Sequence, residues 1–168
     1  YAVVNLHTKY ADGTEGGTRR SRLCVQNRQA TGATRIEGMR LVVSEASRAR
    51  YFVTAQFGNF GDTHIQPTCR AALTAVTDNR VHQTIRLDSE VYERTGILLP
   101  LETRSFQGIL DVAGVPPGLY RLTADLKHDK GPSAQIQIAL EVSGGDETKT
   151  VRSFNAGDLT GGVTKIDL

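Results

Sequence analysis

The sequence predicts an all-β fold, an antiparallel β-sandwich of about seven strands preceded by an N-terminal β-hairpin extension. Three observations predict it. Between Phe106 and Val142 the chain reads as three strands, FQGILDV, LYRLTADLKH and AQIQIALEV, broken by AGVPPG and DKGPS. In the second, Tyr120, Leu122, Ala124 and Leu126 alternate with Arg121, Thr123, Asp125 and Lys127. In the third, Ala134, Ile136, Ile138, Leu140 and Val142 alternate with Gln135, Gln137, Ala139, Glu141 and Ser143. Successive side chains of a pleated strand point to opposite faces, so period-two alternation marks sheets with one dry and one wet face. The second observation is the spacing of short amphipathic runs between Met39 and Val142, and the third is the near absence of helical periodicity.

Taken in order, residues 1–36 form the hairpin extension and linker, and residues 37–168 form the sandwich with a C-terminal tail. YAVVNLHTKY and TRRSRLCVQNR flank ADGTEGG, whose Asp12-Gly13 and Gly16-Gly17 suit chain reversal. Ala2, Val4 and Leu6 alternate with Tyr1, Val3, Asn5 and His7, so the first strand has two greasy faces and wants cover on both. Such a segment either joins its own domain's sheet or pairs with the open edge of a neighbour, and Ala2, Val4 and Leu6 are the candidate self-association residues. QATGATRIEG reads as a linker. MRLVVS, YFVTAQF, TCRAALTAV and RVHQTIRL then read as strands, with Tyr51, Val53, Ala55 and Phe57 in phase, Cys69, Ala71, Leu73 and Ala75 in phase, and Val81, Gln83, Ile85 and Leu87 in phase. Asp78-Asn79 reads as a hairpin turn. Residues 89–95 suit a short helical turn, and the tail DLTGGVTKIDL ends in one short strand.

At 168 residues the chain buries roughly two-thirds of its unfolded surface and needs no cofactor to hold a core. Lys+Arg 20 against Asp+Glu 18 gives a formal charge of +2, which offers no field to attract nucleic acid. No apolar run reaches the roughly 20 residues of a membrane helix, so no insertion by helices is expected. The chain begins at Tyr1 rather than Met, which points either to processing or to a cut chain. Cys24 and Cys69 are too few for a disulfide framework and lack zinc spacing. A bridge between them would be worth about 4 kcal/mol on the chain-entropy model, but Cys24 is out of phase with Leu23 and Val25, so a bridge and two separate thiols both stay open.

GVPPGLYRLTADL resembles the tyrosine corner of immunoglobulin-like domains, in which Pro116, Pro117 and Gly118 set a turn and the Tyr120 hydroxyl bonds back to nearby backbone. A longer stretch, about residues 39 to 143, resembles bacterial cell-envelope immunoglobulin-like domains of the pilus-chaperone type. The matching residues are Asn59, Gly61, His64 and Pro67 in one turn, then Leu98, Leu99, Pro100, Arg104 and Phe106 before a strand. The resemblance implies an immunoglobulin-like sandwich and a secreted, periplasmic or cell-surface location. It does not carry over chaperone activity, because that family's paired basic residues find no counterpart here.

The chemistry-bearing patterns are few. Phosphate-loop, HExxH, GxSxG and GxGxxG signatures do not occur. His7, His64, His82 and His128 fall in separate segments, and His64 reads as a turn residue whose ring bonds a backbone carbonyl. Asp62, Asp146, Glu147 and Asp158 lie in glycine-containing loops without the acidic alternation of a calcium loop. Tyr1, Tyr10, Tyr51, Phe52, Phe57, Phe60 and Tyr92 read as core rather than as a sugar-stacking face. No catalytic residue, metal site or cofactor is expected. The sequence therefore points to a non-enzymatic structural or adhesive subunit of the bacterial cell surface, assembling with copies of itself or with another envelope protein. Two alternatives stand beside it. One is a carbohydrate- or protein-binding module using residues 58–67 and 128–133. The other is a periplasmic chaperone-like assembly factor holding an extended segment along a sheet edge such as the strand that begins at Leu119.

Overall fold

A computed structural model describes residues 2–9, 12, 14–23, 31–89, 96–145 and 148–155. All ten regular elements among them are strands: β1 (Ala2–Lys9), β2 (Glu15–Leu23), β3 (Ile36–Ser47), β4 (Arg50–Asn59), β5 (Pro67–Ala75), β6 (Val81–Ser89), β7 (Thr103–Asp111), β8 (Gly118–His128), β9 (Ala134–Ser143) and β10 (Thr150–Asn155). The all-β, antiparallel class follows directly. Strands β3 to β9 occupy the seven segments that alternate in sequence. The sheet they build has eight strands, because TVRSFN folds back as β10 along β9.

The eight strands run in the order β10-β9-β8-β5-β6-β7-β4-β3, and β1-β2 is a separate two-stranded sheet. What joins the two halves of the large sheet is β6. Most of its length pairs with β5, while Asp88 and Ser89 at its end pair with Gln107 and Phe106 of β7. The sheet is therefore continuous and curls back on itself. Gly108 permits the crossing, because a Cβ there would lie 2.5 Å from the Arg86 carbonyl oxygen. Among the described residues, the outer sides of β3 and β10 carry no ladder.

One core lies inside the curl. Phe57, Leu73, Leu87, Leu110, Leu122, Leu126 and Leu140 are fully buried, each worth roughly 1.5–3 kcal/mol relative to exposure. Phe57 meets Phe106 edge to face at 6.3 Å. Alternation foretold most of this, with four corrections. Val81 is exposed, because the ladder slips between Leu73 and Thr74 and puts Val81 beyond the regular register with Ile85 and Leu87. Phe52 and Phe60 are exposed as well; Phe52 lies on the outer face of β4, out of phase with Tyr51 and Val53. β3 starts at Ile36, inside the stretch read as linker. The strand that begins at Leu119 is interior, between β5 and β9, and offers no edge.

The hairpin aligns Ala2 with Leu23, Val4 with Ser21 and Leu6 with Arg19. Tyr1, Cys24, residues 90–95 of the expected helical turn, Asp146, Glu147 and the tail from residue 156 lie outside the described residues.

Candidate functional site

The two sequence motifs behind the envelope-domain resemblance meet at one end of the sheet. Asn59, fully buried at the end of β4, donates from Nδ2 to the Thr63 carbonyl at 2.9 Å and to the Leu98 carbonyl at 3.3 Å, and its Oδ1 accepts from Gly61 N at 3.1 Å. Its backbone carbonyl accepts from Leu101 N at 2.6 Å. Ile65 and Leu98 exchange backbone bonds at 3.0 and 2.9 Å. Nearby, the buried Arg104 guanidinium donates to the Ile97 carbonyl at 2.6 Å and to Glu102 Oε1 at 2.7 Å, and Glu102 Oε2 accepts from Leu99 N at 2.8 Å. Irregular backbone inside a protein must find partners for its polar groups. These side chains supply them, which makes Asn59 and Arg104 structural residues.

A neighbouring loop cluster brings together residues 58–67 and 128–133. Asp129 Oδ1 accepts from Gln66 N at 2.9 Å, and Lys130 Nζ lies 3.4 Å from both Thr63 Oγ1 and His64 Nε2. His64 thus faces a lysine ammonium, not the backbone carbonyl expected of it. Asp62 is tied back to the start of the domain, its Oδ2 accepting from Thr31 N at 2.6 Å and Thr31 Oγ1 at 2.7 Å. These bonds hold the Asp62 carboxyl below the usual carboxylate range, and the bond from Gln66 N does the same for Asp129. One oxygen of each carboxylate is thus engaged in holding loop conformation. Of the other histidines, His128 Nδ1 accepts from Lys130 N at 3.2 Å and His82 packs edge-on against Tyr120 at 5.3 Å. Among the described residues no group of three or more His, Cys, Asp or Glu side chains is placed to hold a metal.

At the opposite turn, Tyr120 Oη donates to the Pro116 carbonyl at 2.7 Å, within the PPG corner. Cys69 is a buried free thiol on β5; the Cys24 partner considered from sequence lies outside the described residues. Burial pushes the Cys69 thiol up to about 12, with the Asp125 charge adding to it.

Sequence reasoning missed one linkage. Lys149 is buried and donates from Nζ to the Val115 carbonyl, while Tyr51 Oη reaches the Lys149 carbonyl at 3.4 Å and accepts from Val151 N at 3.1 Å. Together these contacts fasten the start of β10 to β4. A lysine in a polar run reads as surface, so composition held no signal for it.

The remaining surface of interest is the flank between β3 and β10. Five half-buried hydrophobics pack against the core without being enclosed by it: Ile36, Val43, Ile136, Ile138 and Val151. All lie on β3, β9 or β10. On β3 the ladder with β4 is regular from Arg40 to Glu45 and irregular on either side. The flank thus presents main-chain donors and acceptors beside apolar surface, the combination that pairs with another strand.

The fold and these surfaces define an all-β, antiparallel module whose exposed features are strand edges and end loops. No protein-family model and no curated protein matches the chain. Among solved structures, the archaellum periplasmic stator protein FlaG from Sulfolobus acidocaldarius superposes with a TM-score of 0.39 and 11% identity, covering 62% of this chain and 99% of that one. A superposition that loose assigns neither a fold family nor a role.

Proposed function

We propose that this chain is a non-enzymatic structural or adhesive subunit of the bacterial cell surface, an immunoglobulin-like module that self-assembles by strand exchange. One observation carries the reading. The β1-β2 hairpin makes a sheet of its own, while among the described residues the outer sides of β3 and β10 in the large sheet carry no ladder. An isolated two-stranded hairpin is marginal in water, and an open edge invites pairing. Donating the hairpin to a neighbour's edge answers both. The immunoglobulin-like reading is supported by the Tyr120 corner and by the meeting of the Asn59 and Arg104 motifs, and the envelope location rests on the resemblance those motifs carry. Sedimentation of the full chain against residues 31–168 tests the assembly. The full chain is expected to form concentration-dependent oligomers and the shortened chain to lose them; identical distributions would refute hairpin donation.

A second reading has its own support. Residues 58–67 and 128–133 meet at one end, where Thr63, His64 and Lys130 present polar groups, as a carbohydrate- or protein-binding module would require. Lys130→Ala with unchanged binding across a glycan array and an envelope-protein panel would remove it.

A further inference from the structure

The open flank holds a second feature that does not involve the hairpin. β3 is twelve residues long, and its regular window, Arg40–Glu45, lies between two irregular steps, Gly38/Arg40 and Glu45/Ser47. Such bulges end pairing, so an added strand finds a flat edge of six residues and no more. Neither lysine nor proline, the usual guards of an edge, stands in this window.

Side-chain order along the window is self-complementary. Leu41 and Val43 face the core, opposite Ala55 and Val53; Arg40, Val42 and Ser44 face outward, opposite Gln56, Thr54 and Phe52. A two-fold axis perpendicular to the sheet keeps inward residues with inward residues. Through Val42 it sets Val42 against Val42 of a second copy, Leu41 against Val43, and Arg40 against Ser44. Apolar then meets apolar on both faces, and no like charges stand opposite one another. β10, the other open strand, offers a poorer match, because the exposed Arg152 and Ser153 fill the middle of its six residues.

We propose that two copies of this chain pair antiparallel through β3, with Val42 on the two-fold axis, joining their sheets into one. The contact involves about five residues a side, Arg40 to Ser44, and is well under the ~1,200 Å² of a durable interface, so it is weak and concentration-dependent.

Cross-linking of the full chain tests it, in a Cys24→Ser background that leaves Cys69 buried. Directly opposed residues of an antiparallel pair bring their Cβ atoms to about 4.5–5.5 Å, within relaxation of disulfide geometry. Under mild oxidation Val42→Cys is expected to give a covalent dimer at least about tenfold faster than Ser153→Cys on β10. Arg40→Cys and Ser44→Cys are each expected to stay monomeric alone and to cross-link when mixed. Val42→Lys should weaken self-association about tenfold or more, because like charges oppose each other across the axis, and mixing it with Val42→Glu should restore it. A Val42→Cys rate no greater than that of Ser153→Cys, or equal rates for the mixed and unmixed pair, would overturn the proposal. Adding Val4→Pro, which breaks the β1-β2 ladder, separates it from hairpin donation. An unchanged Val42→Cys rate supports pairing through β3 whatever the fate of the hairpin reading, and a fall to the Ser153→Cys level overturns it.

Discussion

Among the described residues the sheet has a closed side and an open side, and the same residue types fare differently on each. Where β6 passes from β5 to β7, Leu87 is 2% exposed and Phe106 3%, with strands on both sides and a facing layer above. At β3, β9 and β10 the inward-facing Val43, Ile136, Ile138 and Val151 are only half-buried, although their alternation is as regular. Period-two patterning therefore fixes which face a residue occupies. Whether that face is dry depends on how many strands surround it.

The largest effects that sharpen this contrast lie in the closed interior. Leu73→Ala is expected to cost about 3–4 kcal/mol in urea unfolding, near the middle of the range for a fully enclosed leucine, and Ile138→Ala about 1–1.5 kcal/mol, because the open flank already exposes part of its surface. Equal losses would erase the difference between the two sides. Arg104→Ala should cost about 3 kcal/mol, since it strands the Ile97 carbonyl and takes the guanidinium away from the partly buried Glu102 carboxylate. Tyr120→Phe removes one part-buried hydrogen bond to Pro116 and should cost about 1 kcal/mol by the same measurement.

Cys69 gives the pH arm of the comparison. Burial pushes its folded thiol up to about 12 from an ordinary value near 9.0, so between these values the folded state holds the proton more tightly than the unfolded one. Stability from this group is complete below pH 9 and is lost as pH rises toward 12. Cys69→Ala should flatten that part of the stability profile, and native Cys69 should resist thiol reagents until the chain unfolds. The smallest effect is at Leu101, which is 82% exposed with φ 60° after Pro100, the position of a turn where glycine or asparagine is favoured. Leu101→Gly should shift stability by no more than about 0.5 kcal/mol, as relief of the left-handed backbone offsets the freedom glycine adds to the unfolded chain.

Much of this fold was legible in the chain. Tyr51, Val53, Ala55 and Phe57 declared β4, and Tyr120 to Leu126 declared β8, because a one-sided sheet imposes strict alternation. Legibility failed where tertiary partners decide the outcome. Asn59 and Arg104 read as polar turn residues, and only the meeting of residues 59–65 with 97–104 turns them inward. Ala139 lies in the outward phase of β9 yet is buried, with Arg121 of β8 and Phe154 of β10 beside it; no local pattern announces a strand that returns after a loop. The open flank was equally hidden, since the residues along it carry the same signature as those that are sealed.

The way the chain enters and leaves the large sheet has a mechanical consequence. It enters at Ile36 and departs at Asn155. Gly38 sits so close to Ile136 that a Cβ there would lie 2.7 Å from the isoleucine Cβ, while Asn155 pairs with Ile138, so entry and departure are at the same end. Tension applied along the backbone would peel β3 from β4 and β10 from β9 one residue pair at a time, as a zip opens, instead of loading every ladder bond at once. A string of such modules pulled lengthwise would therefore yield at lower force than a module whose two ends left the sheet at opposite ends.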